Sequence, residues 1–286
     1  MAITIEPLGG LGNQLFTYAL GKELSSRLST DLVADLRNFR GYEWHEYELD
    51  SFGPPIPIAA DADRRSPIVE TSQRLARRLG YRPKGTVGEQ VRTFDASILD
   101  APNGSRLRGY FQSWRYFPSV ADLIRAEMRQ LLEPSEWFAR TSAYLSHIHP
   151  WTAVHIRRGN YVDIPSMGIA KLDYYERALG LLDKLEGRTN RIIFSDSPDL
   201  VRSTLDRNFL NSVEILESPA EVRPIEILLL MSFADHMVTA NSTFSWWAAW
   251  LGERSGRRVI CPRPWLDDPG HNDRDLLVPS WISLGR

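Results

Sequence analysis

One cysteine, Cys261, stands in 286 residues. That excludes an intramolecular disulfide framework and a multi-cysteine zinc site. Positive charge is not in excess either. Lysine and arginine number 34 against 36 aspartates and glutamates, a net charge of −2. A general nucleic-acid binder is excluded on that balance, although a local basic cluster can still hold a small anion. No charged n-region precedes an apolar stretch at the N-terminus, so no signal peptide is expected. No run approaches the ~20 apolar residues of a membrane span. The expectation is a soluble, cytoplasmic protein. Its one candidate for peripheral membrane contact is the basic segment Arg74 to Lys84, whose simpler reading is a solvated helix end.

The usual phosphate loops are missing as well. Gly21-Lys22 ends a P-loop pattern, but Phe16 stands where its first glycine belongs and Glu23 where its hydroxyl belongs. Gly10-Leu11-Gly12 opens a dinucleotide fingerprint that fails at Leu15. No Gly-x-Ser-x-Gly elbow appears. Asp61-Ala62-Asp63 copies a metal-binding Asp-x-Asp but lies in a polar, proline-flanked segment and reads as loop. His147-Ile148-His149 has no third ligand at metal spacing. No metal site is expected.

What is present is an alternation. The 43% hydrophobic content suffices for one large domain or two modest ones. In the second half, strands are expected at 151–156, 191–194, 213–216, 236–240 and 258–261. Helices are expected at 172–185, 199–208 and 225–233, with another opened by Asn241. Short β/α repeats of this kind imply a parallel sheet covered by helices, with ligands beyond the carboxyl ends of its strands. Three polar clusters fall at such ends: His155-Ile156-Arg157-Arg158, Ser195-Asp196-Ser197 and Asn241-Ser242-Thr243. An arginine there can clamp a phosphate; the alternative is a surface ion pair, with His155 packed in the core. Asn241 or Ser242 can cap a helix facing an anion, while Trp246, Trp247 and Trp250 read as packing. The first half is less regular: a strand, the glycine turn, a helix, strands at 32–35 and 106–112, and a helix at 120–132. Gly9 to Gln14 reads as a tight turn that lets backbone approach a ligand, with Asn13 at a helix start, or as a plain strand–helix connection. Pro150 marks the expected boundary.

Gly9-Gly10-Leu11-Gly12-Asn13-Gln14-Leu15-Phe16, His155-Ile156-Arg157-Arg158, Phe194-Ser195-Asp196 and Asn241-Ser242-Thr243-Phe244-Ser245-Trp246-Trp247 occur in that order. Together they resemble the short bacterial α-1,2-fucosyltransferases of glycosyltransferase family 11, from the N-terminus to about Trp265. The resemblance implies a GT-B-like α/β fold of two Rossmann-like domains facing across a cleft. Residues 1–150 would form the acceptor side and 151–286 the GDP-fucose-binding domain. It further implies GDP-fucose as donor, a β-galactoside acceptor in a surface polysaccharide, inversion at the anomeric carbon, and no metal or other cofactor. By this similarity Arg157 holds the donor diphosphate, Arg158 adjoins it and His155 shapes the nucleotide site. Ser195, Asp196, Asn241, Ser242, Thr243 and Phe244 should line the donor pocket. The donor motifs all follow Pro150, so Gly10, Gly12 and Asn13 fall to the acceptor side, with Gly10 and Gly12 contacting donor phosphate only secondarily and Asn13 able only to orient the acceptor hydroxyl. Asp35, after the second strand, is the candidate base, with Glu6, His45 and Glu46 in competition. The family pattern continues after the arginines with aspartate and tyrosine; here Asn160-Tyr161 stands there, with Asp163 later, so no carboxylate acts at 160. An α-1,6-fucosyltransferase and a non-catalytic sugar-nucleotide binder remain as alternatives.

Overall fold

The computed structural model describes residues 1–40, 45–59, 85–89, 93–159, 168, 170–267 and 273–286. Asp61-Ala62-Asp63, the basic segment at 74–84 and Asn160 to Asp163 lie outside the described residues. The chain divides into two compact units, Met1–Gln130 and Leu131–Arg286. Among the described residues no helix is long and apolar enough to cross a membrane.

In the first unit, β1 (Ile3–Ile5) leads into α1 (Leu11–Arg27), followed by β2 (Leu32–Ala34), β3 (Thr86–Gly88), β4 (Arg106–Arg108) and α2 (Ala121–Met128). The strands form a parallel sheet in the order β2-β1-β4-β3. Strand β4 is shorter than the run expected at 106–112, because Phe111 takes a left-handed φ of 49° and turns the chain off the sheet. Helix α1 lies close on β1 and β2. A Cβ at Gly21 would come within 2.7 Å of the Ile5 and Leu32 side chains, so only glycine allows that approach. Glu23 is buried in the same helix, and its carboxylate is satisfied by the Ser119 amide (3.1 Å), the Ser119 hydroxyl (2.6 Å) and Arg27 Nε (2.6 Å). A buried charge survives only with partners of this kind.

The second unit holds α3 (Glu136–His147), β5 (Trp151–Ile156), α4 (Leu172–Glu186), β6 (Asn190–Ser195), α5 (Pro198–Thr204), α6 (Arg207–Leu210), β7 (Glu214–Ile215), α7 (Pro224–Phe233), β8 (His236–Val238), α8 (Thr243–Leu251), β9 (Arg258–Arg263) and β10 (Ile282–Gly285). The helix expected at 199–208 is two, because Asp206 stops one and caps the next, accepting from the Asn208 amide at 2.7 Å. All six strands are parallel, in the order β10-β9-β8-β5-β6-β7. Trp246, Trp247 and Trp250 are buried; Trp246 and Trp250 stack, Trp247 meets both edge-on, and Trp246 Nε1 donates to the Leu276 carbonyl at 2.7 Å. Such burial is worth on the order of 2–3 kcal/mol per large side chain.

The units part at Gln130, not at Pro150. Helix α3, before the proline, packs on α7 through Phe138 and Phe233, whose ring centroids lie 6.4 Å apart. The Ser135 hydroxyl caps α3 by accepting from the Phe138 amide at 3.1 Å and donates to the buried Glu226 carboxylate. These contacts commit 131–150 to the second unit, whereas the Gln130 carbonyl accepts from Gly53 in the first at 2.8 Å.

Candidate functional site

Counted from β5, the second sheet has the doubly wound order 3-2-1-4-5-6. Its order reverses between β5 and β8, and open α/β sheets bind ligands outside the carboxyl ends at that reversal. His155 and Ile156 close β5 and the turn after it carries Arg157 to Gly159; the turn after β8 carries Asn241 and Ser242 into Thr243, the first residue of α8. They are 84 residues apart by number (157 to 241) but follow neighbouring strands, paired from Thr152↔His236 to Val154↔Val238.

The turn after β5 is organised by Asp196, just past the end of β6. Its Oδ1 accepts from the Arg158 amide at 2.9 Å, its Oδ2 from the Gly159 amide at 3.1 Å, and Arg157 Nε lies 3.1 Å from the same Oδ2. One carboxylate thus orders three consecutive residues. Strand β5 ends at Ile156, so Arg157 is aimed by this carboxylate and not by strand alternation. Arg158 turns its guanidinium to the Ala170 carbonyl at 3.0 Å and braces the loop before α4. Ser195 accepts from the Ser197 amide at 3.1 Å and shapes the turn into α5.

His155 is buried, its ring 5.8 Å from that of Phe244. Burial chiefly, and then the charge of Arg157, push its pKa down to about 4 against an opposing pull from Asp196. The imidazole is therefore neutral at pH 7. Among the described residues its Nδ1 has no hydrogen-bond partner.

Asn241 precedes the N-cap position of α8. Its Nδ2 donates to the Gly168 carbonyl (2.9 Å) and the Trp265 carbonyl (3.1 Å), fastening two loops beside the strand ends. Ser242 occupies the N-cap position, and its side chain makes no capping bond. Thr243 is the first residue of α8, whose first turn carries no acidic residue. The positive end of the helix dipole thus meets no internal carboxylate there.

In the first unit the left-handed glycine is Gly9, at φ 67°, while Gly10 precedes α1 in an extended conformation. Gly12 and Asn13 lie inside the first turn of α1, so Asn13 is not its cap. Gln14 is buried and uses both ends of its amide. Nε2 donates to the carbonyls of Gly9 (2.8 Å) and Glu46 (2.7 Å), and Oε1 accepts from the Glu48 amide (3.0 Å). It ties the glycine turn to the 46–48 segment, leaving the His45 ring 3.3 Å from where a Gly10 side chain would begin. Asn13 Oδ1 accepts from Gln112 Nε2 at 2.9 Å, a partner that no sequence pattern singled out. The only local signal is its place just beyond a short strand.

Asp35 is buried and bound by Arg37, whose Nε lies 2.8 Å from Oδ1, and by Arg106. Burial by itself would raise its pKa, but the Arg37 hydrogen bonds and the two arginine charges outweigh that and hold it below the usual carboxylate range. Such a carboxylate is a weak base. Glu6 joins the same cluster, 3.2 Å from Arg106 Nε.

The model of the glycosyl transferase family 11 matches residues 90–285. The O-antigen biosynthesis glycosyltransferase WbnK of Escherichia coli is 29% identical over 306 residues, covering 96% of this chain and 98% of that protein. The alpha-1,2-colitosyltransferase of Escherichia coli is 26% identical over 297 residues, covering 99% of both. A galactoside 2-alpha-L-fucosyltransferase of Caenorhabditis elegans is 25% identical over 183 residues, covering 62% of this chain and 51% of that one. Among solved structures, the fucosyltransferase NodZ from Bradyrhizobium matches with a TM-score of 0.51 at 15% identity, over 87% of this chain and 91% of that one. The fold is α/β and GT-B-like.

Proposed function

This chain belongs to glycosyl transferase family 11, and from that premise we propose that it is an inverting α-1,2-fucosyltransferase. Fucose passes from GDP-fucose to the 2-hydroxyl of a terminal β-galactoside in a surface glycan. The observation that carries the donor reading is the reversal of strand order between β5 and β8, flanked by an arginine that Asp196 aims and by the first turn of α8. Arg157 and the α8 amides neutralise the diphosphate, a task that needs no metal ion. Neutral His155 offers Nδ1 to the donor. The roles expected of Asp196, Asn241 and Arg158 become indirect: they hold the turns that meet the nucleotide.

In the transfer, the acceptor oxygen bonds to the anomeric carbon as the bond to the β-phosphate oxygen breaks and its electron pair leaves with GDP. The hydroxyl proton passes to a base. Asn13 and the Gly9–Gly10 turn are the residues proposed to meet the acceptor. Asp35 and Glu6 serve to hold the arginines of their cluster, so His45 and Glu46 are the candidates for the base. The colitosyltransferase relative favours one further reading, a colitosyl donor in place of fucosyl.

The test is GDP release by EDTA-treated enzyme, with GDP-fucose or GDP-colitose, against lactose, N-acetyllactosamine and Gal-β1,3-GalNAc, followed by linkage analysis. An α-1,2-fucosylated product is expected. Binding of GDP-fucose without turnover points to a sugar-nucleotide sensor. A 1,6 linkage, or turnover only with GDP-colitose, replaces the reading.

A further inference from the structure

We infer that Tyr174 is a positioning residue for the donor site: its hydroxyl replaces a sheet hydrogen bond that Pro262 leaves out, and so fixes the turn that carries Asn241 and Ser242 into α8. The inference rests on the donor site proposed above. The register of β8 and β9 runs from His236↔Arg258 to Val238↔Ile260, so the next rung sets Thr239 beside Cys261. In a parallel ladder the amide and the carbonyl of one residue face the same neighbouring strand and bond to the residues on either side of its partner. The Thr239 amide does so, donating to the Ile260 carbonyl at 2.9 Å. The Thr239 carbonyl would accept from residue 262. That residue is Pro262, inside β9, and proline has no N–H.

Thr239 is fully buried, so water is no substitute for the missing donor. Tyr174 supplies it. Its hydroxyl donates to the Thr239 carbonyl at 2.9 Å, with the Ile260 carbonyl 3.2 Å away. Tyr174 is itself fully buried, and burial chiefly pushes its pKa well above the ordinary phenol value. The O–H therefore keeps its proton and stays a donor at any working pH.

The place of this bond gives it a role beyond packing. Tyr174 lies in the first turn of α4, and Ala170, just before the N-cap Lys171, accepts from Arg158 Nη1 at 3.0 Å. The short segment 170–174 thus holds both turns that flank the reversal of strand order between β5 and β8. Arg158 belongs to one turn, and Thr239 leads into the other. Their separation is set by one helix start. A diphosphate met from both sides needs that separation fixed beforehand, because ordering it on binding subtracts from affinity.

The test is calorimetric titration of GDP, with Tm measured alongside, into wild type, Tyr174→Phe, Pro262→Ala and the double variant Tyr174→Phe/Pro262→Ala. Phenylalanine removes only the hydroxyl, and alanine at 262 restores a backbone N–H opposite the Thr239 carbonyl. The expected result is a GDP Kd weakened roughly fivefold in Tyr174→Phe. It should return to within about twofold of wild type in the double variant, and stay there in Pro262→Ala alone. Thr152→Val is the control. It breaks a buried hydroxyl pair, Thr152 Oγ1 to Thr189 Oγ1 at 2.6 Å, at the other end of β5. It should lower Tm and leave GDP Kd within about twofold. An unchanged Kd in Tyr174→Phe, a loss that Pro262→Ala does not restore, or an equal loss in Thr152→Val overturns the inference. If Tyr174→Phe does not fold alone, the double variant carries the test: it should fold and bind GDP as wild type does, and failure in either overturns the inference. Wild type that binds no GDP instead overturns the donor reading itself.

Discussion

Replacing Asp196 by asparagine sets two physical effects against each other. Asp196 is a carboxylate close to a proposed diphosphate site, so simple electrostatics says that neutralising it helps an anion bind. For unit charges ~6 Å apart at an effective dielectric of ~40, that relief is about 1 kcal/mol. The geometry says otherwise. The two carboxylate oxygens accept from the Arg158 amide at 2.9 Å and the Gly159 amide at 3.1 Å, and Oδ2 also faces Arg157 Nε at 3.1 Å. Asparagine keeps one acceptor. Its NH2 group would face either the second amide or the guanidinium, donor against donor. One charge-assisted hydrogen bond is lost, worth about 1.5–3 kcal/mol. The ion pair is partly exposed and adds less than about 1 kcal/mol. The turn that aims Arg157 loosens, and the loss exceeds the Coulomb relief by about 1–2 kcal/mol. That corresponds to a GDP Kd weakened roughly five- to thirtyfold. Calorimetric titration of GDP into wild type and Asp196→Asn, with Tm measured alongside, reads it directly. GDP binding as tight as wild type, or tighter, in a folded variant would refute the view that Asp196 builds the site.

Two further outcomes follow from buried groups of the second unit. His155 has a folded pKa of about 4 against an ordinary 6.5, so the unfolded chain takes up its proton first. Stability from this group is complete above about pH 6.5 and is lost as pH falls toward 4, a total of about 3 kcal/mol. Urea unfolding at pH 7.5 and 4.5 should show a smaller pH dependence in His155→Asn than in wild type; equal slopes would contradict it. Asn241→Asp should destabilise by about 3 kcal/mol or more, because a carboxylate would replace the donor facing the Gly168 and Trp265 carbonyls. Asn241→Ala should cost less in the same unfolding experiment, and the opposite ranking would show that Asn241 is not a clamp.

The sequence by itself determined the alternating architecture and where its polar clusters fall along the chain. Apolar period and turn residues report burial within a few positions, which is why 151–156, 172–185 and 225–233 read correctly as strand, helix and helix. The polar residues at 155–158 and 241–243 stand at strand ends for the same local reason. Only the tertiary structure decided which neighbour each of them serves. Asp196 reaches back 38 residues to Arg158, Asn241 73 to Gly168, and Gln112 99 to Asn13. Those pairings depend on the order of the strands, and no local period encodes strand order. The boundary at Gln130 was hidden for a similar reason. Pro150 looks like a break along the chain, whereas membership of a unit is set by where α3 buries its apolar face, and that is against α7.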